Sequence, residues 1–224
     1  MKYAIFDYDN TLSEGYSKYE LGYLLEEEGL IKKGFRSDVD TLEGEYHKGA
    51  FDYNEKFIKD KKIFADYFAG LKRTDVSRFI VDNFDFKKFI YPWSEELIKQ
   101  LHEKGFWVVV ITGCWDFIIE EAQVILDFDT FFASQFELEQ GKLTKEFFQI
   151  MDNETKEAIT QDILIDSELS IGIGDSIADF EILKQVDHPF LISNNDEAVK
   201  MAEGKDYTVV THENAMDEIL KVVA

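Results

Sequence analysis

Tyr3-Ala4-Ile5-Phe6-Asp7-Tyr8-Asp9-Asn10-Thr11 carries four apolar or aromatic residues into two carboxylates one residue apart. An apolar run without polar alternation predicts a strand covered on both faces of a sheet. On a strand, residues i and i+2 share a side, so Asp7 and Asp9 are expected to converge just past the sheet edge. Like charges held that close repel, and one of them must bind a cation or keep a proton. The stretch thus predicts a parallel sheet with chemistry at its edge.

Two further apolar runs, residues 107–112 and 170–174, read as buried parallel strands like Lys2–Phe6. Shorter candidates lie at 131–134, 190–192 and 207–210. Helical patterns stand between them, as at 94–104, where Leu97, Ile98 and Leu101 share a face, and at 181–185. Strands alternating with helices predict a doubly wound, Rossmann-like α/β sheet. Residues 136–138 and 142–144, joined through Glu139-Gln140-Gly141, read as a small hairpin.

The interval from Ser13 to Phe89 breaks this rhythm. Helical stretches at 19–28, 53–69 and 75–83 follow one another with no parallel strand between them, so the interval reads as a helical insertion after the first strand. Hinges are expected near Ser13-Glu14-Gly15 and near Tyr91-Pro92. The expected division is an α/β core at 1–13 and 89–224 and a small helical domain at 14–88. Its many aromatics, Tyr19, Phe64 and Phe68 among them, recur at helical spacing and are expected to pack inward.

The chain has 224 residues, with 24 Lys+Arg against 46 Asp+Glu, a formal charge of −22. That balance opposes a nucleic-acid partner, whose backbone is held by Lys and Arg. Cys114 is the single cysteine, which excludes an internal disulfide and suits a reducing compartment. No leader precedes the first strand and no apolar run is long enough for a membrane span, so a cytoplasmic protein without a membrane partner is expected. Homodimer formation is left open.

In an open parallel sheet, ligands bind beyond the carboxyl ends of the strands. There the first strand delivers Asp7 and Asp9, with Thr11 in support; the second delivers Thr112 and Gly113; the last delivers Asp175 and Ser176 within Gly172-Ile173-Gly174-Asp175-Ser176-Ile177-Ala178-Asp179. Lys156, on a helix leading to that strand, is placed to reach the same crevice. The set suits phosphoryl transfer. Asp7 is the expected nucleophile, and Asp9 the acid that protonates the leaving alcohol and then the base for water. Asp7, Asp175 and the backbone carbonyl of Asp9 are the expected ligands of Mg²⁺. Thr112, Gly113 and Lys156 are expected to face the charge on the transferring group, and Asp179 to orient Lys156 or a metal-bound water. The four histidines show no metal-ligand spacing.

These residues resemble the four motifs of the haloacid dehalogenase superfamily of phosphohydrolases: Asp7-Tyr8-Asp9-Asn10-Thr11-Leu12, Ile111-Thr112-Gly113, Lys156, and Gly174-Asp175-Ser176-Ile177-Ala178-Asp179. The helical insertion is similar to the cap of the phosphoserine-phosphatase-like branch, as are Tyr91-Pro92-Trp93, Trp115-Asp116-Phe117-Ile118 and residues 137–144. The resemblance implies a Mg²⁺-dependent phosphatase acting on a small phosphorylated metabolite through an aspartyl-phosphate. Three positions depart from that branch, one of them Ala178, where an asparagine usually stands just before the last aspartate. Tyr16 stands nine residues after Asp7, where phosphoserine phosphatases carry a glutamate, and Lys59-Asp60-Lys61 stands where a cap arginine is expected. Phosphoserine phosphatase proper, a phosphotransferase and a catalytically inactive metal-binding scaffold are the alternatives. A dehalogenase is opposed by Asp9, because halide leaves without a proton.

Overall fold

The computed structural model describes residues 1–193 and 196–223. In chain order the elements are β1 (Lys2–Phe6), α1 (Ser17–Glu27), α2 (Phe35–His47), α3 (Tyr53–Phe68), α4 (Arg73–Asn83), α5 (Pro92–Glu103), β2 (Phe106–Trp115) and α6 (Asp116–Leu126). There follow β3 (Thr130–Glu139), β4 (Lys142–Gln149), α7 (Asn153–Leu164), β5 (Leu169–Gly174), α8 (Phe180–Leu183), β6 (His188–Ile192), α9 (Asp196–Met201), β7 (Thr208–Val210) and α10 (Ala215–Val222). The strands lie in the order β4-β3-β2-β1-β5-β6-β7. All pairs are parallel except β3 with β4. The α/β class with a helical insertion between β1 and β2 is therefore as the sequence reads.

The chain divides into two compact units, one of Met1–Gly15, Asp85–Ser134 and Ile150–Ala224, the other of Tyr16–Phe84 and Gln135–Gln149. In the first, β1 is flanked on both sides, Lys2–Phe6 pairing in register with Phe106–Val110 and with Leu169–Ile173. A strand with neighbours on both sides and helices over both faces has no solvent side, and Ala4, Ile5 and Phe6 are fully buried. Ile5, Val109 and Ile111 pack with Met151 and Ile182. Phe180, Leu183 and Leu191 form a second cluster with Ala198 and Ala202.

The second unit centres on aromatic rings. Phe35 meets Phe64, Tyr67 and Phe68 at centroid distances of 5.3, 5.4 and 5.8 Å. Helix α2, which the sequence reading leaves out, enters here. The Glu26 carboxylate accepts from the N–H groups of Gly34, Phe35 and Arg36 and so caps its first turn; these bonds hold the carboxyl of Glu26 below its usual range.

Two boundaries differ from those expected. The hairpin segment Gln135–Gln149, expected within 89–224, clusters with the helices, whereas the start of β3 up to Ser134 belongs to the first unit. Gly70 N–H donates to Leu143 O at 2.8 Å, Leu143 N–H returns to Leu71 O at 2.9 Å, and Phe136 stacks on Phe68 at 6.2 Å. The second crossing lies at Phe84–Asp85 rather than at Tyr91-Pro92. Residues 85–91 are held to the first unit by a Ser13–Ile90 bridge and by Glu14 N–H to Phe89 O (2.8 Å) and Tyr91 N–H to Leu12 O (3.1 Å). Among the described residues no helix is long and apolar enough to cross a membrane.

Candidate active site

Strand β1 ends at Phe6, but its ladder continues one residue further, Asp7 N–H donating to Ile173 O at 2.9 Å. Beyond Asp7 the chain turns. The N–H groups of Thr11, Leu12 and Ser13 all point to Tyr8 O, at 3.2, 2.8 and 3.0 Å, and Asn10 is left-handed with φ 58°. The left-handed Asn10 reverses the chain directly after Asp9, which stays close enough to Asp7 to raise it. Asp7 and Asp9 are both buried, 7% exposed.

Asp175 follows β5, whose last residues are Ile173 and Gly174. A Cβ on Gly174 would stand 2.4 Å from the Cβ of Asp179, so glycine is what lets Asp179 fold back over the strand end. The Asp179 carboxylate is fully engaged. Its Oδ2 accepts from Asp175 N–H (3.2 Å), Ser176 N–H (3.1 Å) and Ser176 Oγ (2.9 Å), and its Oδ1 accepts from Lys156 Nζ (2.8 Å). Lys156 also donates to Asp7 Oδ1 at 3.3 Å. It stands near the start of α7, which Asp152 caps by accepting from Thr155 N–H, and it is only 3% exposed.

Thr112 and Gly113 lie near the end of β2 beside β1, as Phe6 pairs with Val110. The register with β3 shifts between Thr112 and Trp115. Such an irregularity bends a strand and re-aims its side chains. Cys114 N–H donates to Thr112 Oγ1 at 3.2 Å. Thr11 is fully buried, and its Oγ1 has no hydrogen-bond partner among the described residues.

The charges are frustrated. Burial first, and the Asp179 charge second, push Asp7 up to about 7 against the pull of Lys156, with Asp9 adding to the rise. Burial, then Asp179 and Asp7, push Asp175 well above the carboxylate range. Carboxylate oxygens of Asp7, Asp175 and Asp179 lie within 4.8 Å of one another, and one lysine does not neutralise them. An all-oxygen, over-acidic, buried set of this kind fits a hard divalent cation. With four hydrogen bonds on Asp179, the oxygens of Asp7 and Asp175 have more capacity left to hold one.

The structure thus brings Asp7, Lys156, Asp175, Ser176 and Asp179 into direct or near contact, with Asp9 close enough to raise both Asp7 and Asp175. Thr112 and Gly113 are positioned by the sheet. No histidine joins the acidic cluster among the described residues. Cys114, Trp115 and Phe117 are buried, as packing residues. Sequence reasoning missed Ser94, fully buried, whose Oγ donates to Leu12 O at 2.8 Å and pins the turn after Asp9. Its signal in the sequence is its place in the first turn of a helix that opens on Pro92.

Residues 4–184 match the family model of haloacid dehalogenase-like hydrolases. The chain is 24% identical over 184 residues to a phosphoserine phosphatase of Wolinella succinogenes, covering 80% of this chain and 81% of the relative. It is 24% identical over 191 residues to a phosphoserine phosphatase of Methanocaldococcus jannaschii, covering 82% of each. A substrate-bound phosphoserine phosphatase structure matches with TM-score 0.72 at 20% identity, over 100% of this chain and 98% of that one. A protein of unknown function from Bordetella pertussis Tohama I matches with TM-score 0.75 at 16% identity, over 94% and 98%. At such identities the structural matches speak for the fold. The matched span covers most of the chain and every residue of the acidic site, and the chain belongs to the haloacid dehalogenase-like hydrolases.

Proposed function

We propose that the protein is a Mg²⁺-dependent phosphatase that hydrolyses a small phosphate monoester through a phosphoryl group carried on Asp7. The observation behind this reading is the buried Asp7–Lys156–Asp179–Asp175 cluster at the carboxyl ends of β1 and β5. Asp7 attacks phosphorus and forms an acyl phosphate while the bond to the ester oxygen breaks. Asp9, protonated, gives its proton to that oxygen, so the product leaves as an alcohol. Asp9 then takes a proton from water as the water attacks phosphorus, releasing inorganic phosphate and the Asp7 carboxylate. Lys156, Thr112 Oγ1 and Gly113 N–H face the negative charge on the transferring group.

Asp7, Asp175 and the carbonyl of Asp9 would hold the Mg²⁺, which when bound supplies positive charge to the phosphoryl oxygens. Asp179 holds Lys156 and the start of the Asp175 loop in place. Ser176 completes that loop by donating to Asp179.

The names of the relatives favour phosphoserine as substrate. The helical unit favours a different monoester. Tyr16 occupies the position of the expected glutamate, and Asp60 is buried in an ion pair with Lys18 at 2.5 Å where a guanidinium is expected. A carboxylate without a bidentate guanidinium forgoes roughly 1.5–3 kcal/mol. We therefore expect phosphoserine to be no better than an amino-alcohol phosphate. The test is kcat/KM across a panel of phosphorylated metabolites, for wild type and Asp7→Asn, with Mg²⁺ and with chelator. Turnover lost in Asp7→Asn and in chelator is the expected result. Activity that survives both overturns the phosphatase reading, and a phosphoserine preference above about tenfold (~1.4 kcal/mol) overturns only the substrate class.

A further inference from the structure

Asn10 is one of three non-glycine residues with positive φ among those described, and it alone adjoins the acidic site. Its φ of 58° reverses the chain directly after Asp9. Left-handed backbone is disfavoured for residues with a Cβ, with Asn and Asp among the few that adopt it singly. The side chain has a partner as well: Asn10 Oδ1 accepts from Gly15 N–H at 3.0 Å. Gly15 is itself left-handed, with φ 76°, and is the last residue of the first unit before the chain leaves for the helices.

Between these two residues the backbone is fixed from the other side. Leu12 O receives Tyr91 N–H and Ser94 Oγ, and Glu14 N–H donates to Phe89 O. The Asn10 amide thus adds a side-chain bond across the turn that carries Asp9, spanning residues 10 to 15. We propose that Asn10 is a positioning residue for the proton-transfer step: its bond to Gly15 N–H holds the turn so that the Asp9 carboxyl meets the leaving oxygen. This rests on the assignment of Asp9 as proton donor.

The geometry separates backbone from side chain cleanly. Asn10→Gly keeps left-handed freedom and removes the acceptor, whereas Asn10→Asp keeps an acceptor oxygen at the same place. The readout is kcat/KM for an alkyl phosphate, whose alkoxide needs a proton, relative to p-nitrophenyl phosphate, whose phenolate leaves without one. Saturating Mg²⁺ is kept throughout, and unfolding temperatures are recorded. Asn10→Gly should lose roughly tenfold or more on the alkyl ester, a part of the roughly 10²–10⁴-fold that general-acid catalysis typically contributes, and little on the aryl ester. Asn10→Asp should keep the wild-type ratio.

Equal losses of Asn10→Gly on both esters, or an Asn10→Asp ratio matching that of Asn10→Gly, would overturn the role of Asn10. Asp9→Asn is measured alongside. If Asp9→Asn itself lowers both esters equally, the assignment of Asp9 has failed. If Asp9→Asn is selective and Asn10→Gly is not, only the inference about Asn10 has failed.

Discussion

Lys156 sits between two buried carboxylates that repel each other, 3.3 Å from Asp7 and 2.8 Å from Asp179. Removing one partner of a buried ionic group leaves the others uncompensated and typically costs ~3–5 kcal/mol. Lys156→Ala should therefore lower the unfolding temperature and abolish turnover together, and a stable, active variant would contradict its place in the cluster. The carboxylates set a pH dependence too. In the metal-free protein Asp7 is raised to about 7 by burial and by Asp179. A carboxyl raised on folding binds more protons folded than unfolded, so its contribution is fully present below the ordinary carboxylate range and is lost as pH rises through about 7. A divalent cation replaces the proton, so the rise in unfolding temperature on adding Mg²⁺ should be larger at pH 8 than at pH 5.5. Equal increments at the two pH values would contradict a metal held by Asp7. The residue identities of this cluster were legible because each closes an apolar run or stands near a helix start. The reversal directly after Asp9 is not legible, since a left-handed Asn10 and the convergence of three N–H groups on Tyr8 O leave no periodic trace.

At the scale of elements, the three main strands were readable from uninterrupted apolar runs, because a parallel strand buried on both faces has no polar alternation to confuse it. Helix α2 was not, since its apolar residues Phe35, Val39 and Leu42 are few and its cap comes from Glu26, far back in sequence. The hairpin is legible as a hairpin, but its place with the helices is not, because strand-to-helix packing between distant segments has no local signature. Phe68 carries that packing: it is fully buried, stacks on Phe136 at an interplanar angle of 7°, and meets Phe35 and Phe64. Phe68→Ala should cost ~3–5 kcal/mol through lost burial and a residual cavity. Hydrogen exchange should quicken across Tyr16–Phe84 and Gln135–Gln149 first, with β1 and β5 still protected. Uniform loss of protection in both units would contradict a helical unit with its own core.

Across the whole molecule, the division of labour follows from the sheet. Strands β1, β2 and β5 end side by side, so residues separated by more than a hundred positions in sequence arrive at one edge, and the buried charges gather there. The helical unit and hairpin hold a separate aromatic core, and the substrate-class departures at Tyr16 and Asp60 lie in that unit. The chain's charge of −22 gives a cation a long-range attraction toward the protein without specifying where it binds; the proposed place is the acidic cluster. In the proposed reaction, phosphorus becomes bonded to Asp7. Acid quench during steady turnover, reduction with borohydride and peptide mass spectrometry measure this directly, because an acyl phosphate on aspartate is reduced to homoserine while free carboxylates are not. Homoserine is expected at position 7 in the wild-type protein and none in Asp7→Asn. Homoserine at another aspartate, or ongoing turnover with none at all, would contradict it.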